Sequence, residues 1–504
     1  MSFVVIGSGL SAYAAILGLV DRGIKPTVID IALESNESMQ RYTNTSKSIL
    51  AKKTLFESDH MYKYPLLDLD IQIMENSKIN YHLTGALGGM SSVWGAGLQP
   101  LDLSTASKIP QDLQNNFYLA QIALLKKIPH SFVLDDLNIK YKWPIDDLSG
   151  TSIYTSRFFE NMLKKYSRKK NRMGELLIGH PRLAVNQFDP ENGCILCGKC
   201  LEGCPQGSIL NSGNEIKKLN LAGKIDFIKG VVTSLKILES KMTEISYKTD
   251  SGEIKTINAS HLFLGLGPIA TPALLLKSDL ITGPVKVKDS QVFYVMFLRL
   301  LSFNRKQKFS LAQLVVTNNI NQQVTSSENL NDFNLSLFEY SNNWDSRLES
   351  MLKQINMDYR IFKSLGKFLL KFLVSGIGFI STEDSGHILI EKDKLNNINI
   401  SGQVSEDTKL KLTRYQSFIR KKLRLLGLIP VPTNLNKEPI LGAGWHLGSG
   451  LPMGDCQYID WGSRLHKTSN IYVIDATSLP EIKPGSHTFS AMINAYRVAI
   501  SMNK

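Results

Sequence analysis

The chain has 504 residues, which is long enough for two or three domains around large buried cores. Hydrophobic residues make up 43% and charged residues 20% of the chain, proportions that are typical of an ordinary globular protein. The longest apolar run, Phe368–Ile380, contains Lys371 and is well short of the roughly 20 residues that a membrane-spanning helix needs. This run is therefore excluded as a membrane span.

The formal net charge of +13 is spread over small clusters such as Lys164–Lys165 and Arg420–Arg424. These clusters lack the interleaved aromatic residues of a nucleic-acid platform, so we expect no nucleic-acid partner. We interpret them as solvated surface, with an anionic membrane or a phosphorylated substrate as the alternative. Because the chain starts on a predicted strand without an export signal, we expect a cytoplasmic location, with peripheral contact at the inner membrane surface as the alternative.

The first stretch, Phe3–Asp30, predicts a strand, a turn, a helix and a second strand. Its turn carries a G-x-G-x-x-A form of the dinucleotide fingerprint. Gly7 allows the tight turn, Gly9 lets a pyrophosphate approach the helix N-terminus, and Ala12 lets helix and strand pack closely. Asp30 ends the second strand about 20 residues later, where a carboxylate can accept both ribose hydroxyls of an adenosine. The alternative is a unit whose glycines serve only packing.

A second glycine-rich stretch, Thr84–Gly97, contains five glycines between two ordinary segments. Glycine at this density indicates that the backbone closely approaches a ligand or another segment of the protein. Large side chains such as those of Met90 and Trp94 are not expected on an exposed linker, so we interpret the stretch as a loop that contacts a cofactor. A flexible glycine loop is the alternative.

Four of the five cysteines, Cys194, Cys197, Cys200 and Cys204, have the spacing of the bacterial ferredoxin cluster motif. In a chain without an export signal, such clustering argues for a metal centre and against disulfides. The fourth cysteine of such a run serves the other cluster in two-cluster ferredoxins, and this chain has no second run. Cys456 is then the remaining thiol for a fourth ligand. Free thiols and structural zinc are the alternatives to an iron–sulfur cluster.

In the rest of the chain, the period of the hydrophobic pattern distinguishes predicted helices from predicted strands. Predicted helices span Leu101–Lys140, Arg157–Arg172, Asp345–Ser375 and Glu406–Leu426, and a terminal helix starts at about Ser490. Predicted strands span Lys224–Ile237, Glu244–Ile257, His261–Leu266, Gln291–Arg299, Ser310–Thr317, Asn334–Tyr340, His387–Glu391 and Ile471–Ile474.

We therefore predict an α/β FAD-binding domain of the Rossmann-like type and an α+β substrate domain built on an antiparallel sheet. The FAD-binding domain is expected over 1–284, with an insertion and the cysteine loop at about 130–210. The substrate-binding domain is expected over 285–440, and 441–504 returns to the FAD-binding domain.

Six motifs together resemble the glucose–methanol–choline oxidoreductases, which are flavoproteins. Besides the N-terminal fingerprint, they are the loop Gly88–Gly95, the strand-to-helix turn Gly267–Leu276, the segment Gly444–Gly454 and the two C-terminal segments Asn470–Ala476 and Gly485–Thr488. The order and spacing of these motifs agree with the family. Between about 285 and 435 little matches, so the resemblance does not name a substrate.

The resemblance implies two catalytic residues, His446 and His487, and non-covalent FAD. Family members that attach the flavin through the glycine-rich loop have a histidine where this chain has Val93. The residues predicted to bind the cofactor are Gly7, Gly9, Ala12, Asp30, Gly88, Gly89, Met90, Ser91, Trp94, Gly95, Val231, Asp475 and Ala476.

The predicted chemistry is oxidation of a CH–OH group, in which a hydroxyl proton and a hydride leave the same carbon. An imidazole is suited to the proton, and we favour His446 as the base. By analogy alone, the small-molecule substrate is expected to be a sugar or a glycan-related intermediate. A cluster near the flavin would favour a redox protein or a quinone as acceptor. The alternatives are an epimerase that oxidises transiently, and an electron-transfer subunit whose histidines are structural.

Overall fold

The structure, a computed structural model, describes residues 1–33, 63–64, 66–144, 155–187, 189, 191–200, 204–239, 241–300, 309–319, 330–339, 358–404, 406–431, 438–455 and 457–502. The helices of this part of the chain are α1 (Leu10–Asp21), α2 (Leu103–Ala106), α3 (Gln111–Leu125), α4 (Arg157–Met173), α5 (Ser212–Leu221), α6 (Ala270–Lys277), α7 (Tyr359–Leu370), α8 (Glu406–Arg424) and α9 (Thr488–Ser501). The strands are β1 (Phe3–Ile6), β2 (Thr27–Asp30), β3 (Lys63–Tyr64), β4 (Ile71–Ile73), β5 (Leu83–Thr84), β6 (Leu176–Gly179), β7 (Asp226–Lys229), β8 (Val231–Ile237), β9 (Thr243–Lys248), β10 (Ile254–Ala259), β11 (His261–Leu264), β12 (Val285–Asp289), β13 (Val292–Arg299), β14 (Leu314–Asn318), β15 (Phe333–Glu339), β16 (Leu373–Ile380), β17 (His387–Lys392), β18 (Ile398–Gln403), β19 (Leu428–Pro430), β20 (Leu447–Gly448) and β21 (Ile471–Val473).

A parallel sheet in the order β21-β11-β1-β2-β7 forms the centre of the first layer. Its middle strand β1 is buried along its whole length, as expected of a parallel strand covered on both faces. Helix α1 packs against α9, and the two approach closely because Gly18 has no side chain. A Cβ at Gly18 would lie 2.8 Å from the Cβ of Ala499. The predicted Rossmann-like unit is confirmed here.

Two predicted strands are each divided in the structure. Lys224–Ile237 breaks at Gly230 into β7, which joins the parallel sheet, and β8, which starts a β8-β9-β10 meander. A Cβ at Gly230 would lie 2.8 Å from the Tyr247 ring, so this corner needs glycine. Glu244–Ile257 contains β9, a turn that includes Gly252 at φ +87°, and β10. The hydrophobic pattern continues across both corners, which is why the sequence suggested single strands.

A six-stranded antiparallel sheet, in the order β19-β13-β16-β15-β14-β6, forms the second layer. Helices α4 and α8 pack on one face of it. The core between them contains Phe159, Met162, Tyr166 and Met173 from α4, Leu412, Tyr415, Ile419 and Leu423 from α8, and Phe293, Val295, Phe297, Leu335 and Leu337 from the strands. The opposite face carries the alternate residues of the same strands. The predicted antiparallel sheet is therefore confirmed.

Two predicted helices are shorter than expected. Leu101–Lys140 contains α2, α3 and a 3-10 turn at Asp136–Ile139, and Pro110 separates the two helices. In Asp345–Ser375, residues 345–357 lie outside the described residues, α7 is helical, and β16 starts at Leu373. The prediction of helix at 373–375 was wrong because this segment pairs with β13 and β15 on both sides.

A third sheet, in the order β20-β12-β17-β18-β4, joins the two layers. Strands β4 and β20 come from outside the predicted substrate segment 285–440, and so does β6 of the six-stranded sheet. The predicted boundaries along the chain stay predictions, while the pairing shows that distant segments complete both the six-stranded sheet and this mixed sheet, in which β4 pairs with β18 in parallel.

Substitution of Gly378 tests the packing between the six-stranded sheet and its helices. A Cβ at this position would lie 2.1 Å from the ring of Phe293, so Gly378→Ala requires a shift of the buried core. We expect the free energy of unfolding to fall by about 1–3 kcal/mol in chemical denaturation. The control Thr256→Ala, at an exposed position of β10, should change it by less than about 0.5 kcal/mol. Equal stability of the two variants would contradict this packing.

Candidate active site

Two cavities adjoin between the parallel sheet and the six-stranded sheet. The larger cavity, of about 530 Å³, runs along the carboxyl ends of β1, β2 and β11. The smaller one, of about 230 Å³, lies against the free face of the six-stranded sheet. Met90, Trp94, Trp445 and Thr488 line both cavities. A ligand in the larger cavity and a second one in the smaller would therefore meet at these residues.

The fingerprint turn lies at one end of the larger cavity. Gly7 adopts φ +104°, and a Cβ there would lie 2.5 Å from the carbonyl oxygen of Gly265 on the neighbouring turn. Only glycine fits this position. Gly9 immediately precedes α1, and a Cβ there would meet nothing within 4 Å. The N-terminus of α1 is thus open to an anionic group such as a pyrophosphate.

Asp30 lies at the end of β2 and lines the same cavity. Burial raises the pKa of Asp30 to about 6, and hydrogen bonds from the backbone of Ala32 and from Ser8 lower it in part. Its Oδ1 accepts the Ala32 N–H at 2.8 Å. The carboxyl group is therefore ionised at neutral pH and able to accept hydroxyl hydrogen bonds.

Most of the predicted cofactor-binding residues line the larger cavity. They are Gly7, Gly9, Asp30, Gly89, Met90, Ser91, Trp94, Val231, Asp475 and Ala476. Ala12 instead packs beneath the turn, where a Cβ at Gly265 would lie 3.1 Å from its own Cβ. Gly88 donates its N–H to Ser8 Oγ at 2.8 Å, and Gly95 lines the smaller cavity.

Asp475 holds neighbouring turns together at the cavity wall. Its Oδ2 accepts the Gly267 N–H at 2.8 Å and the Thr271 hydroxyl at 2.5 Å, and its Oδ1 accepts the Thr477 N–H at 2.8 Å. Burial raises the pKa of Asp475, while these hydrogen bonds lower it in part. The residue thus fixes the β11–α6 turn against the end of β21.

His446 and His487 come together at the junction of the cavities. Their ring centroids are 5.4 Å apart with the rings nearly perpendicular, and Phe379 stacks on His446 at 3.8 Å. His446 lines the smaller cavity and His487 the larger one. The Nδ1 atoms of both histidines are buried without a hydrogen-bond partner among the described residues. A buried unpaired nitrogen is costly, so such atoms mark a place where a ligand binds.

Both histidines are neutral in this environment. Burial lowers the pKa of His446 well below its ordinary value, and the nearby His487 lowers it further. Burial lowers the pKa of His487 to about 4, with a hydrogen bond to the Leu447 backbone opposing the shift. A neutral imidazole at pH 7 is able to accept a proton.

The smaller cavity is lined by alternate residues of β13, β15 and β16, which share one face of the sheet. These residues are Val292, Tyr294, Asn334, Ser336, Phe338, Ser375, Ile377 and Phe379. Gln99, Arg182 and Glu339 add polar groups. Arg182 is held by Asp135 at 2.8 Å, and Glu339 pairs with Arg299. Sequence reasoning missed all of these wall residues, because no motif marks them.

The cysteine run lies behind the glycine-rich loop. Cys200 and Cys204 line a small cavity of about 30 Å³ together with Ser91 and Trp94, which also line the larger cavity. Burial and, to a smaller extent, the other three thiols of the run raise the pKa of Cys200 to about 12, while a hydrogen bond with the Ser310 backbone lowers it in part. Among the described residues, no group of three or more His, Cys, Asp or Glu side chains is placed to hold a metal ion. The predicted cluster at Cys194, Cys197, Cys200 and Cys204 therefore stays a prediction, and Cys456 lies outside the described residues.

The larger cavity does fit FAD. Its volume is that of a typical cofactor site, and it offers an open helix N-terminus at Gly9 and a carboxylate at Asp30. A Cβ at Gly267 would also meet nothing within 4 Å, so the turn after β11 leaves room for a ligand. The residues present therefore suit an adenosine at one end and a ring system beside His487 at the other.

The raised pKa of Asp30 makes FAD binding sensitive to pH. The carboxylate form accepts the ribose hydroxyls, so FAD affinity should fall by about tenfold per pH unit as the pH drops below about 6. Fluorescence titration of the apoprotein with FAD measures this. Asp30→Asn should bind more weakly and lose the pH dependence. The control Asp70→Asn, a carboxyl group at the exposed rim of the same cavity, should keep it. A pH-independent affinity in the unmodified protein would contradict this role.

Comparisons with known proteins agree with this architecture. No model of a protein family matches the sequence, and neither does any of the curated proteins compared with it. Among solved structures, pyridoxine 4-oxidase from Mesorbium loti is similar over 99% of this chain and 98% of its own, with a TM-score of 0.61 at 11% identity. A formate oxidase covers 99% and 97%, with a TM-score of 0.62 at 13% identity. A variant of Aspergillus oryzae formate oxidase, made to study modification of its FAD, covers the same shares, with a TM-score of 0.65 at 12% identity.

These similarities extend over nearly the whole chain, so they include both the parallel sheet and the six-stranded antiparallel sheet. The predicted resemblance is therefore confirmed at the level of the fold: the chain has the fold of the glucose–methanol–choline oxidoreductases over nearly its whole length.

Proposed function

We propose that the chain is an FAD-dependent oxidoreductase that oxidises a CH–OH group of a small-molecule alcohol. The observation that carries this proposal is the pair of neutral histidines with unpaired Nδ1 atoms at the junction of two cavities. Such an oxidation needs one group to take the hydroxyl proton and a second to hold the oxygen. It also needs a hydride acceptor beside the same carbon.

The two histidines divide this work. His446 is the base, because it lines the smaller cavity, where the alcohol binds, and because stacking on Phe379 holds its ring. Its low pKa keeps it unprotonated at neutral pH, ready to accept the hydroxyl proton at a ring nitrogen. His487 lies at right angles to it and holds the alcohol oxygen by a hydrogen bond.

The larger cavity holds the cofactor without a covalent bond. Asp30 binds the adenosine ribose, and the N-terminus of α1 at Gly9 binds the pyrophosphate. When bound, FAD supplies a flavin that accepts the hydride. Val93 has no atom for covalent attachment, and Trp94 and Met90 line both cavities at their junction.

The wall of the smaller cavity combines polar and apolar side chains. Gln99, Asn334 and Arg182 offer polar contacts to a hydroxylated group such as a sugar, as the sequence prediction expects. The side chains along the sheet face, among them Ile377 and Phe338, are apolar. An alcohol with a polar head and an apolar body fits both parts of this wall. The epimerase and electron-transfer alternatives have no supporting contact of their own in the described residues.

Removal of either imidazole should slow flavin reduction without loss of the cofactor. His446→Ala and His487→Ala should each lower the rate of flavin reduction by an alcohol by about 10²- to 10⁴-fold in stopped-flow measurements. Because the pKa of His487 is about 4 and that of His446 is also depressed, the rate in the unmodified protein should stay level from pH 8 down to about pH 5.

The matched control is His466→Ala, which changes a histidine that lies outside both cavities and hydrogen-bonds the Asp455 backbone. This variant should reduce its flavin at the unmodified rate. Full rates in both active-site variants would instead support an electron-transfer subunit whose histidines are structural.

The iron–sulfur interpretation of the cysteine run stays a prediction, and metal analysis decides it. The expected result is iron and sulfide in anaerobically prepared protein, with an electron paramagnetic resonance signal that Cys200→Ser removes. Cys456→Ser should alter the signal if Cys456 is the fourth ligand. Iron-free protein that reduces its flavin normally would refute the cluster and favour free thiols, and zinc in its place would support the structural alternative.

A further inference from the structure

The cavity-lining face of the six-stranded sheet does not end at the cavity. Phe379, Ile377 and Ser375 of β16 line the smaller cavity, and Leu373 continues the same alternation toward the strand's start. Phe379 stacks on His446, and Leu373 lies about 20 Å further along at roughly 3.3 Å per residue. A continuous strand face therefore joins the histidines to the far edge of the sheet.

At that edge, the row of side chains is apolar and exposed. Leu298 of β13 lies opposite Leu373 on one side and Ile429 of β19 on the other, so the three share one face. Leu298 is 40% exposed, Ile429 is 41% exposed and Leu300, just beyond β13, is 72% exposed. Three exposed large apolar residues side by side are unusual on a monomeric protein and indicate a contact surface.

Helix α7 extends this surface. It leads directly into β16, and the Arg299 N–H bonds the Phe372 carbonyl at 2.9 Å, which ties the end of the helix to the end of β13. Ile361, Phe368 and Leu369 are exposed by 73%, 48% and 56%. They are seven and eight residues apart, so they lie on one side of the helix.

The charge around the surface is positive. Lys371, between α7 and β16, is exposed. The last turn of α8, which precedes β19, carries Lys421, Lys422 and Arg424.

We propose that the apolar residues of α7 and of the β13–β19 edge, rimmed by these cations, dock the protein on the surface of an anionic phospholipid membrane. An apolar stripe with lysine and arginine around it inserts into the headgroup boundary and is held there by anionic lipids. Of the helices in the described ranges, none is long and apolar enough to cross a membrane, so this contact is peripheral.

The docking surface also bears on the substrate, and this part rests on the proposed function. The exposed row and the cavity wall belong to the same strand face, so docking would bring the cavity side of the sheet toward the membrane, where an alcohol with an apolar chain dissolves.

Vesicle flotation with the full-length holoenzyme tests the surface. The protein should float with vesicles of phosphatidylcholine and phosphatidylglycerol, stay behind with phosphatidylcholine alone, and be released by salt. The variant Leu300→Ser with Leu369→Ser should lower the partition coefficient at least tenfold. The control Leu221→Ser with Leu395→Ser, at sites that are 88% and 82% exposed, should bind normally.

Charge is tested in the same way. Lys371→Gln with Arg424→Gln should weaken binding to the anionic vesicles, whereas Lys224→Gln with Lys255→Gln, at exposed sites far along the chain, should not. Thermal unfolding checks that each variant is folded.

Failure of the docking surface and failure of the proposed function are separable, because flavin reduction by a soluble short-chain alcohol needs no membrane. That reaction should be unchanged in the Leu300 and Leu369 variant, while a long-chain alcohol presented in anionic vesicles should reduce the flavin more slowly. Absence of flotation, or equal binding by the apolar variant and its control, would overturn the docking surface. A change of oligomeric mass in the apolar variant without vesicle binding by the unmodified protein would assign the surface to contact between copies of this chain.

Discussion

The buried carboxylate of Asp475 is the interaction on which the site depends. It accepts hydrogen bonds from Gly267, Thr271 and Thr477, and so ties the turn after β11 to the turn after β21. The segment after His446 then hydrogen-bonds to that second turn, with Ser449 N–H bonded to the Ala476 carbonyl at 2.8 Å. One buried carboxyl group thereby sets the wall of the larger cavity and the position of a histidine. Burying a polar group is costly unless it is hydrogen-bonded, and this one accepts three hydrogen bonds.

The two faces of the six-stranded sheet have different tasks. One face buries phenylalanines against α4 and α8, and this core keeps the sheet rigid. The other face forms the wall of the smaller cavity and then continues into exposed apolar residues. Because side chains alternate along a strand, a single run of residues such as β16 contributes to the core and to the site at once. Gly378 of β16 has no side chain, and this permits the close contact with the Phe293 ring of β13.

The cysteine run lies beside the larger cavity, since Ser91 and Trp94 line both that cavity and the small one at Cys200 and Cys204. Burial raises the pKa of the Cys200 thiol, and a metal ligand is needed in the thiolate form. Among the described residues, no group of three or more His, Cys, Asp or Glu side chains is placed to hold a metal ion, so the cluster stays a prediction.

Local spacing was enough for the sequence to determine the fingerprint turn, Asp30, the glycine-rich loop and the two histidine segments. Each of these requires a particular residue at a particular backbone position, such as Gly7 at φ +104°. A requirement of this kind can be recognised from a short stretch of sequence. The fold class followed from these segments and from the period of the strands.

Only the tertiary structure decided which distant residues meet. The stacking of Phe379 on His446, the entry of Arg182 into the cavity wall and the shared face of Leu298 and Ile429 all depend on the register between strands. It also decided that Leu373–Ser375 is strand, because pairing with β13 and β15 outweighs the local preference for continuing α7. Register is set by how buried faces fit together across the sheet, and no single stretch of sequence contains that information.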